Sequence, residues 1–177
     1  MPGHILNVGS FLNQQADIEL YNEIGMEFHR RFSDAHINKI LTIEASGIGI
    51  ACVTAQYFKA PVVFARKFRA KNIGDNLYSA EVTSYTHGID YTITVPRTFL
   101  NKGDSVLLID DFLANGCALE GLVALIQTAD AQLAGAGVVI EKGFQNGGKR
   151  LREQNIRLES LAIIDSMSPE EGVKFRD

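Results

Sequence analysis

Cysteine is scarce in this 177-residue chain: Cys52 and Cys117 are the two present, too few for a disulfide framework, and neither belongs to a C-x-x-C pair. His4, His29, His36 and His87 are scattered rather than clustered, so a zinc cage is not expected. Basic residues are in deficit, 17 against 21 acidic, and the net charge of −4 argues against broad attraction to nucleic acid or an anionic membrane. Any anion site must then be a local concentration of cations. No apolar run approaches the roughly 18 residues of a membrane span, and MPGHILNVGSFLN has no basic stretch leading into an apolar segment. The expectation is a cytoplasmic chain. With 4 prolines against 16 glycines and 46% hydrophobic content, residues 1–177 suit one globular domain with a sizeable core.

What is present alternates between two periods. DIELYNEIGMEFHRRF (17–32) sets Ile18, Tyr21, Ile24, Gly25 and Phe28 at helical spacing. NKILTIEA (38–45) predicts a strand, IGIACVTAQYF (48–58) a buried helix containing Cys52, and PVVFA (61–65) a strand. SVLLID (105–110) is a strand, CALEGLVALIQTA a helix, AGAGVVIEK a strand, GGKRLREQN a short polar helix and RLESLAIID a final strand. This order predicts an α/β fold with a central parallel sheet covered on both faces. One segment breaks the rhythm. AEVTSYTHGIDYTITV (80–95) alternates with period two on either side of His-Gly, which predicts an antiparallel hairpin or flap beside the sheet.

Two strand-to-helix junctions are alike, LTIEASGIGIA (41–51) and LLIDDFLANGCA (107–118). In each, an apolar strand ends in acid and passes through a glycine turn into a helix, at the strand end where open α/β sheets bind ligands. The backbone N–H groups of Ala114, Asn115, Gly116, Cys117 and Ala118 suit a phosphate at a helix N-terminus. Asp110 and Asp111 would repel that phosphate and suit neighbouring hydroxyls or a divalent cation instead. The alternative is ordinary: an acidic residue followed by a glycine turn also ends strands and caps helices. A helix terminus contributes only about 0.3–1 kcal/mol per charge, so a multiply charged ligand needs cations. Arg66 and Lys67 stand at a strand end and suit a diphosphate, while Arg69 and Lys71 read as a solvated basic loop. For Cys117 the simplest role is a small residue lending its N–H. Phe112 and Phe144 suit either base stacking or core packing.

Together, IDDFLANG, IEASGI, PVVFARK and IEKGFQNG (140–147) resemble the type I phosphoribosyltransferases, and the likeness runs over nearly the whole chain. The resemblance implies that fold with a small hood, a homodimer, and magnesium-dependent attack of a purine N9 on C1 of 5-phosphoribosyl diphosphate. It implies Ala114 to Ala118 at the 5-phosphate, Asp110 and Asp111 at the ribose hydroxyls directly or through Mg2+, and Ser46, Gly47, Arg66 and Lys67 at the pyrophosphate. Lys142 would meet the purine's oxo groups, Leu6 and Asn13 would belong to a lid formed by about residues 1–16, and AKNIGDNLYSA (70–80) would close over the site. Xanthine is the expected base, with guanine, hypoxanthine, adenine or a pyrimidine as alternatives. A non-catalytic regulator sensing phosphoribosyl diphosphate is the reading from another class, but the chain has no basic DNA-recognition segment.

Overall fold

The computed structural model describes residue 6 and residues 8–68, 76–84 and 89–176. A π-helical turn, Gly9–Asn13, leads into helix α1 (Ile18–Arg31), strand β1 (Lys39–Ile43), helix α2 (Gly47–Phe58) and strand β2 (Val62–Phe68). Strands β3 (Leu77–Ser84) and β4 (Ile89–Pro96) follow, then a 3-10 turn at Arg97–Phe99, β5 (Ser105–Leu113), α3 (Cys117–Thr128), β6 (Gln132–Lys142), α4 (Gly147–Glu153), β7 (Leu158–Ser168) and β8 (Gly172–Phe175). Arg69, Lys71, most of the expected closing loop, His4, and the His87-Gly88 turn lie outside the described residues.

The eight strands form one sheet in the order β3-β4-β2-β1-β5-β6-β7-β8. Strands β2, β1, β5, β6 and β7 run parallel, and the antiparallel strands β4 and β8 join the two edges of that parallel block. The expected hairpin is β3–β4, paired from Leu77↔Pro96 to Ser84↔Ile89, so the flap is continuous with the sheet through β2. Strand β8 has no counterpart among the sequence-based expectations.

Alternation along β5 builds two cores. Val106 and Leu108 join Leu119, Leu122 and Ile126 of α3, whereas Leu107 and Ile109 join Ile24, Phe28 and Ile50 of α1 and α2. Helix α1 is capped at its start by Asp17, whose Oδ1 accepts from the N–H of Glu19 and of Leu20, each at 3.1 Å. Its buried face is Tyr21, Ile24, Gly25 and Phe28. Ile18, expected on that stripe, is exposed because it opens the first turn beyond the reach of the core. Cys52, expected to be buried, is also exposed: α2 turns Ile50, Ala51, Thr54 and Ala55 inward, and Cys52 falls on the opposite side of the helix. No described helix is long and apolar enough to cross a membrane.

The connections diverge at the centre of the sheet. From β1 the chain crosses through α2 to β2 on one side, and from β5 it crosses through α3 to β6 on the other. The β1–β5 boundary is thus a topological switch point, with a crevice beyond the strands' carboxyl ends.

Candidate active site

Four adjacent strands bring polar residues to the end of the sheet where that crevice lies. Lys67 is next to last in β2, Ser46 and Gly47 follow β1, Asp110 and Asp111 lie in β5 ahead of the loop 114–116, and Lys142 ends β6. Strand β5 extends past the expected end at Asp110 to Leu113, pairing Asp110↔Val138 and Leu113↔Glu141 with β6, so Asp111 as well as Asp110 sits inside the strand.

That position separates them. Asp110 lines a pocket with Val82, Thr83, Tyr91, Phe112 and the loop Ala114 to Ala118, enclosing about 160 Å3. Asp111 is close enough to Tyr21, on α1, to raise that phenol's pKa, an effect second to burial. The Tyr21 hydroxyl in turn donates to the Leu12 carbonyl of the π-helical turn. Both aspartates are 6% exposed. Burial, then the neighbouring Asp111 charge, pushes the Asp110 carboxyl well above the ordinary aspartate range, and Lys67 opposes that shift. Asp110 Oδ1 also accepts from the Asp111 N–H at 3.0 Å.

At the other junction, the Glu44–Ala45 peptide is cis and Ser46 stands at the N-cap of α2 without a capping hydrogen bond from its side chain. A Cβ at Gly47 would stand 2.9 Å from Asp110 Oδ1, so only glycine lets the two junctions approach this closely. The buried Thr42 hydroxyl at the same spot has no hydrogen-bond partner.

The loop from Ala114 to Ala118 takes its shape from Gly116, whose φ of 86° is open to glycine and costly for other residues. Gly116 is the N-cap of α3, and the first N–H groups of that helix have no intrahelical acceptor. Cys117 is partly exposed, with Sγ 3.9 Å from Arg150 Nη2. The free N–H groups at the start of α3 and the Asp110 carboxyl thus line the same pocket.

Arg66 and Lys67 separate by strand parity. Lys67 lies on the pocket side, its ammonium 5.6 Å from the centroid of the Tyr91 ring and near enough to Asp110 to affect its charge. Arg66 faces the other side of β2, 5.9 Å from the Phe64 ring, and lines a separate groove with Phe64, Phe68, Pro96 and Phe99. The structure thus brings Lys67, but not Arg66, together with Asp110. Leu6 is half-buried and packs with the α1–α2 core, and Asn13 is exposed. Lys142 is half-buried beside Glu141, and its carbonyl accepts from Gln145 N–H at 2.9 Å. Phe112 both lines the pocket and packs against the α1–α2 core; Phe144 is exposed.

Several site residues carried no sequence expectation. Thr83 and Tyr91 reach the pocket from the hairpin, and Tyr91's hydroxyl is pushed up in pKa by burial and then by Cys117 and Asp110. Glu141, 2% exposed, accepts from Arg152 Nη1 and Nη2 at 2.8 and 2.7 Å and from the Ser160 hydroxyl. Burial favours its neutral form, but these partners outweigh burial and lower its pKa. Among the described residues no group of three or more His, Cys, Asp or Glu side chains could hold a metal. Asp110 on its own side of β5 suits only a divalent cation that brings most of its ligands with it, as Mg2+ does on a polyphosphate.

Comparison with known proteins agrees with this geometry. Residues 8–167 match the Phosphoribosyl transferase domain family. The chain is 57% identical over 175 residues to xanthine phosphoribosyltransferase of Lachnoclostridium phytofermentans, covering 98% of this chain and 90% of that one. It is 55% identical to the protein of the same name from Alkaliphilus metalliredigens, covering 99% and 86%. Among solved structures it shares its fold with adenine phosphoribosyltransferase of Trypanosoma brucei, with a TM-score of 0.73, 22% identity and coverage of 92% and 72%. The Giardia lamblia enzyme gives a TM-score of 0.72 at 24% identity, covering 82% and 80%. With a switch-point crevice, an acidic strand end leading into a glycine-shaped loop at a helix N-terminus, and a family match over most of its length, the chain belongs to the phosphoribosyltransferases.

Proposed function

We propose that the chain transfers the 5-phosphoribosyl group of 5-phosphoribosyl 1-diphosphate to N9 of xanthine, forming xanthosine 5'-monophosphate and releasing pyrophosphate. The observation that carries the transfer reading is the convergence of Asp110, the loop 114–118 and Lys67 at one crevice. The choice of base rests on the relatives' names and the 55–57% identity to them.

In this reading the N–H groups of Ala114, Asn115, Gly116, Cys117 and Ala118 hold the 5-phosphate. Asp110 meets the ribose hydroxyls, and a Mg2+ ion carried by the diphosphate would be held beside it and would offset the negative charge there; Asp111 is left out of this contact because it turns to the other side of β5, toward Tyr21. Ser46, Gly47 and Lys67 meet the pyrophosphate, while Arg66 is left out because it faces the opposite groove. As pyrophosphate leaves, positive charge develops at C1 of the ribose; Asp110 in its ionised form stabilises it and Lys67 stabilises the departing anion. The N9 lone pair forms the new bond to C1, and the C1–O bond to pyrophosphate breaks with its electron pair going to that oxygen. Lys142 donates to the oxo groups that xanthine has and adenine lacks, and Leu6 and Asn13 lie in the covering segment.

The proposal includes a cytoplasmic homodimer. The groove formed by Arg66 with the exposed Phe64, Phe68 and Phe99 is the face suited to a second copy, and light scattering on the eluted protein tests that assignment. Pyrophosphate release from phosphoribosyl diphosphate and Mg2+, with each base offered separately, tests the reaction. Release with xanthine supports it; binding of phosphoribosyl diphosphate without release for any base would replace the enzyme with a sensor.

A further inference from the structure

Helix α4 reaches the phosphate loop with a side chain that the reaction as derived above does not use. Arg150 Nε and Nη2 each donate at 3.0 Å to one carboxylate oxygen of Glu120, in the first turn of α3. Nη2 also donates to the Asn115 carbonyl and lies 3.9 Å from Cys117 Sγ. One residue earlier in the loop, the Ala114 carbonyl accepts from the Gly147 N–H at 3.2 Å. Two successive carbonyls of the loop are thus occupied from the α4 side.

A trans peptide points its N–H opposite to its C=O. Fixing the Ala114 and Asn115 carbonyls toward α4 therefore turns the N–H groups of Asn115 and Gly116 away from it. Arg150 has a second effect. Glu120 is a carboxylate within one turn of the anion-receiving helix end, and left unpaired it would repel a phosphate there. The guanidinium fork neutralises it and holds it in a fixed geometry, which the point charge of a lysine cannot reproduce.

We propose that Arg150, paired with Glu120, is a positioning residue that sets the shape and charge of the 5-phosphate loop; this rests on the reading of residues 114–118 as the 5-phosphate cradle. The side chain acts through the Asn115 carbonyl and the Glu120 carboxylate and does not touch the reacting atoms. Its contribution is to substrate binding that is equal in ground and transition states, so its loss shows in KM rather than in kcat.

The test uses the full-length enzyme with Mg2+ and two readouts: calorimetric affinity for ribose 5-phosphate, and steady-state kinetics in both directions. Arg150→Met is expected to raise Kd for ribose 5-phosphate and KM for phosphoribosyl diphosphate by on the order of tenfold, the scale of partners that orient ligating groups. In the same variant kcat, and KM for pyrophosphate in the reverse direction, stay within about twofold, as for loss of uniform binding at one end of the substrate. Arg150→Lys is expected to fall with Arg150→Met, because charge without the fork does not hold the carbonyl. If Arg150→Met does not melt cooperatively, Arg150→Lys carries the same measurements. Full affinity in Arg150→Lys, or unchanged affinity in Arg150→Met, overturns the inference. A control separates this from the cradle itself: Ala118→Asp puts a carboxylate into the loop and should abolish ribose 5-phosphate binding. If Ala118→Asp binds normally, the cradle reading falls and the role of Arg150 with it.

Discussion

Glu44 Oε1 accepts a 2.7 Å hydrogen bond from the backbone N–H of Lys67, tying the carboxyl ends of β1 and β2 together. The tie fixes the backbone from which the Lys67 ammonium reaches over Tyr91 toward Asp110. If this cation stabilises the departing pyrophosphate, Lys67→Met should lower kcat/KM for phosphoribosyl diphosphate by about 10- to 100-fold, the worth of one charge-assisted hydrogen bond. Glu44→Gln keeps an oxygen acceptor for the Lys67 N–H and should cost much less than Glu44→Ala. Steady-state kinetics with varied phosphoribosyl diphosphate measure both, and a silent Lys67→Met would remove the residue from the site.

Asp110 is held in the strand at a cost to the empty fold. Its carboxyl is raised by burial and by Asp111, so the folded chain holds a proton that the unfolded chain releases near pH 3.9, the usual value. The sign follows: in the absence of ligand, stability falls as pH rises from about 4 through the raised folded value. Asp110→Asn removes that slope. Its melting temperature at pH 7 should equal or exceed that of the wild type, while kcat drops by about 10²- to 10³-fold, as when one preorganised electrostatic partner is removed. A lower melting temperature at pH 7 would make Asp110 a structural cap instead.

Much of this arrangement is legible in the sequence. Helical spacing marks the helices, short apolar runs mark the parallel strands and period two marks the antiparallel hairpin, while the two acid-then-glycine junctions point to the crevice before any coordinate is known. Three things are not legible. The hydrophobic run SVLLID suggests a strand ending at the carboxylates, but pairing with β6 carries β5 on to Leu113, and only that extension sends Asp110 and Asp111 to different sides. Arg66 and Lys67 look equivalent at a strand end, since parity assigns a face only once the hairpin's position is known. The pairs Arg150–Glu120 and Arg152–Glu141 join residues of different elements, and in sequence the two arginines read as charges of a short polar helix. Strand β8 is a four-residue edge with little burial to impose a pattern.

Glu141 anchors the strand end next to Lys142. Its partners lower its pKa against the effect of burial, so its contribution is present above the ordinary glutamate value near 4.3 and is lost as pH falls through the lowered folded value. Glu141→Gln should cost about 2 kcal/mol, below the full penalty for breaking a buried pair because Arg152 is partly exposed. For a domain of this size that is a fall of roughly 4–8 °C in melting temperature. Thermal melts from pH 3 to pH 8 check it: the difference between the two proteins should shrink toward the acid end, and a pH-independent difference would exclude the ion pair as its source.

Lys142→Ala should reduce kcat/KM more for xanthine than for adenine, because a lysine can donate to oxo groups and cannot accept from an exocyclic amine. The expected change in the xanthine-to-adenine ratio is about tenfold or more, the value of one good hydrogen bond from a charged group. Equal losses for the two bases would assign Lys142 to shaping the strand end rather than to reading the base.

The most direct measurement is kcat/KM for xanthine, guanine and hypoxanthine at saturating phosphoribosyl diphosphate and Mg2+, with the nucleotide product identified for each. The account predicts xanthosine 5'-monophosphate as the favoured product, with xanthine preferred over the other two bases by about tenfold or more, as a site built to pair a particular polar group discriminates. Equal use of the three bases, or a preference for guanine or hypoxanthine, would contradict it.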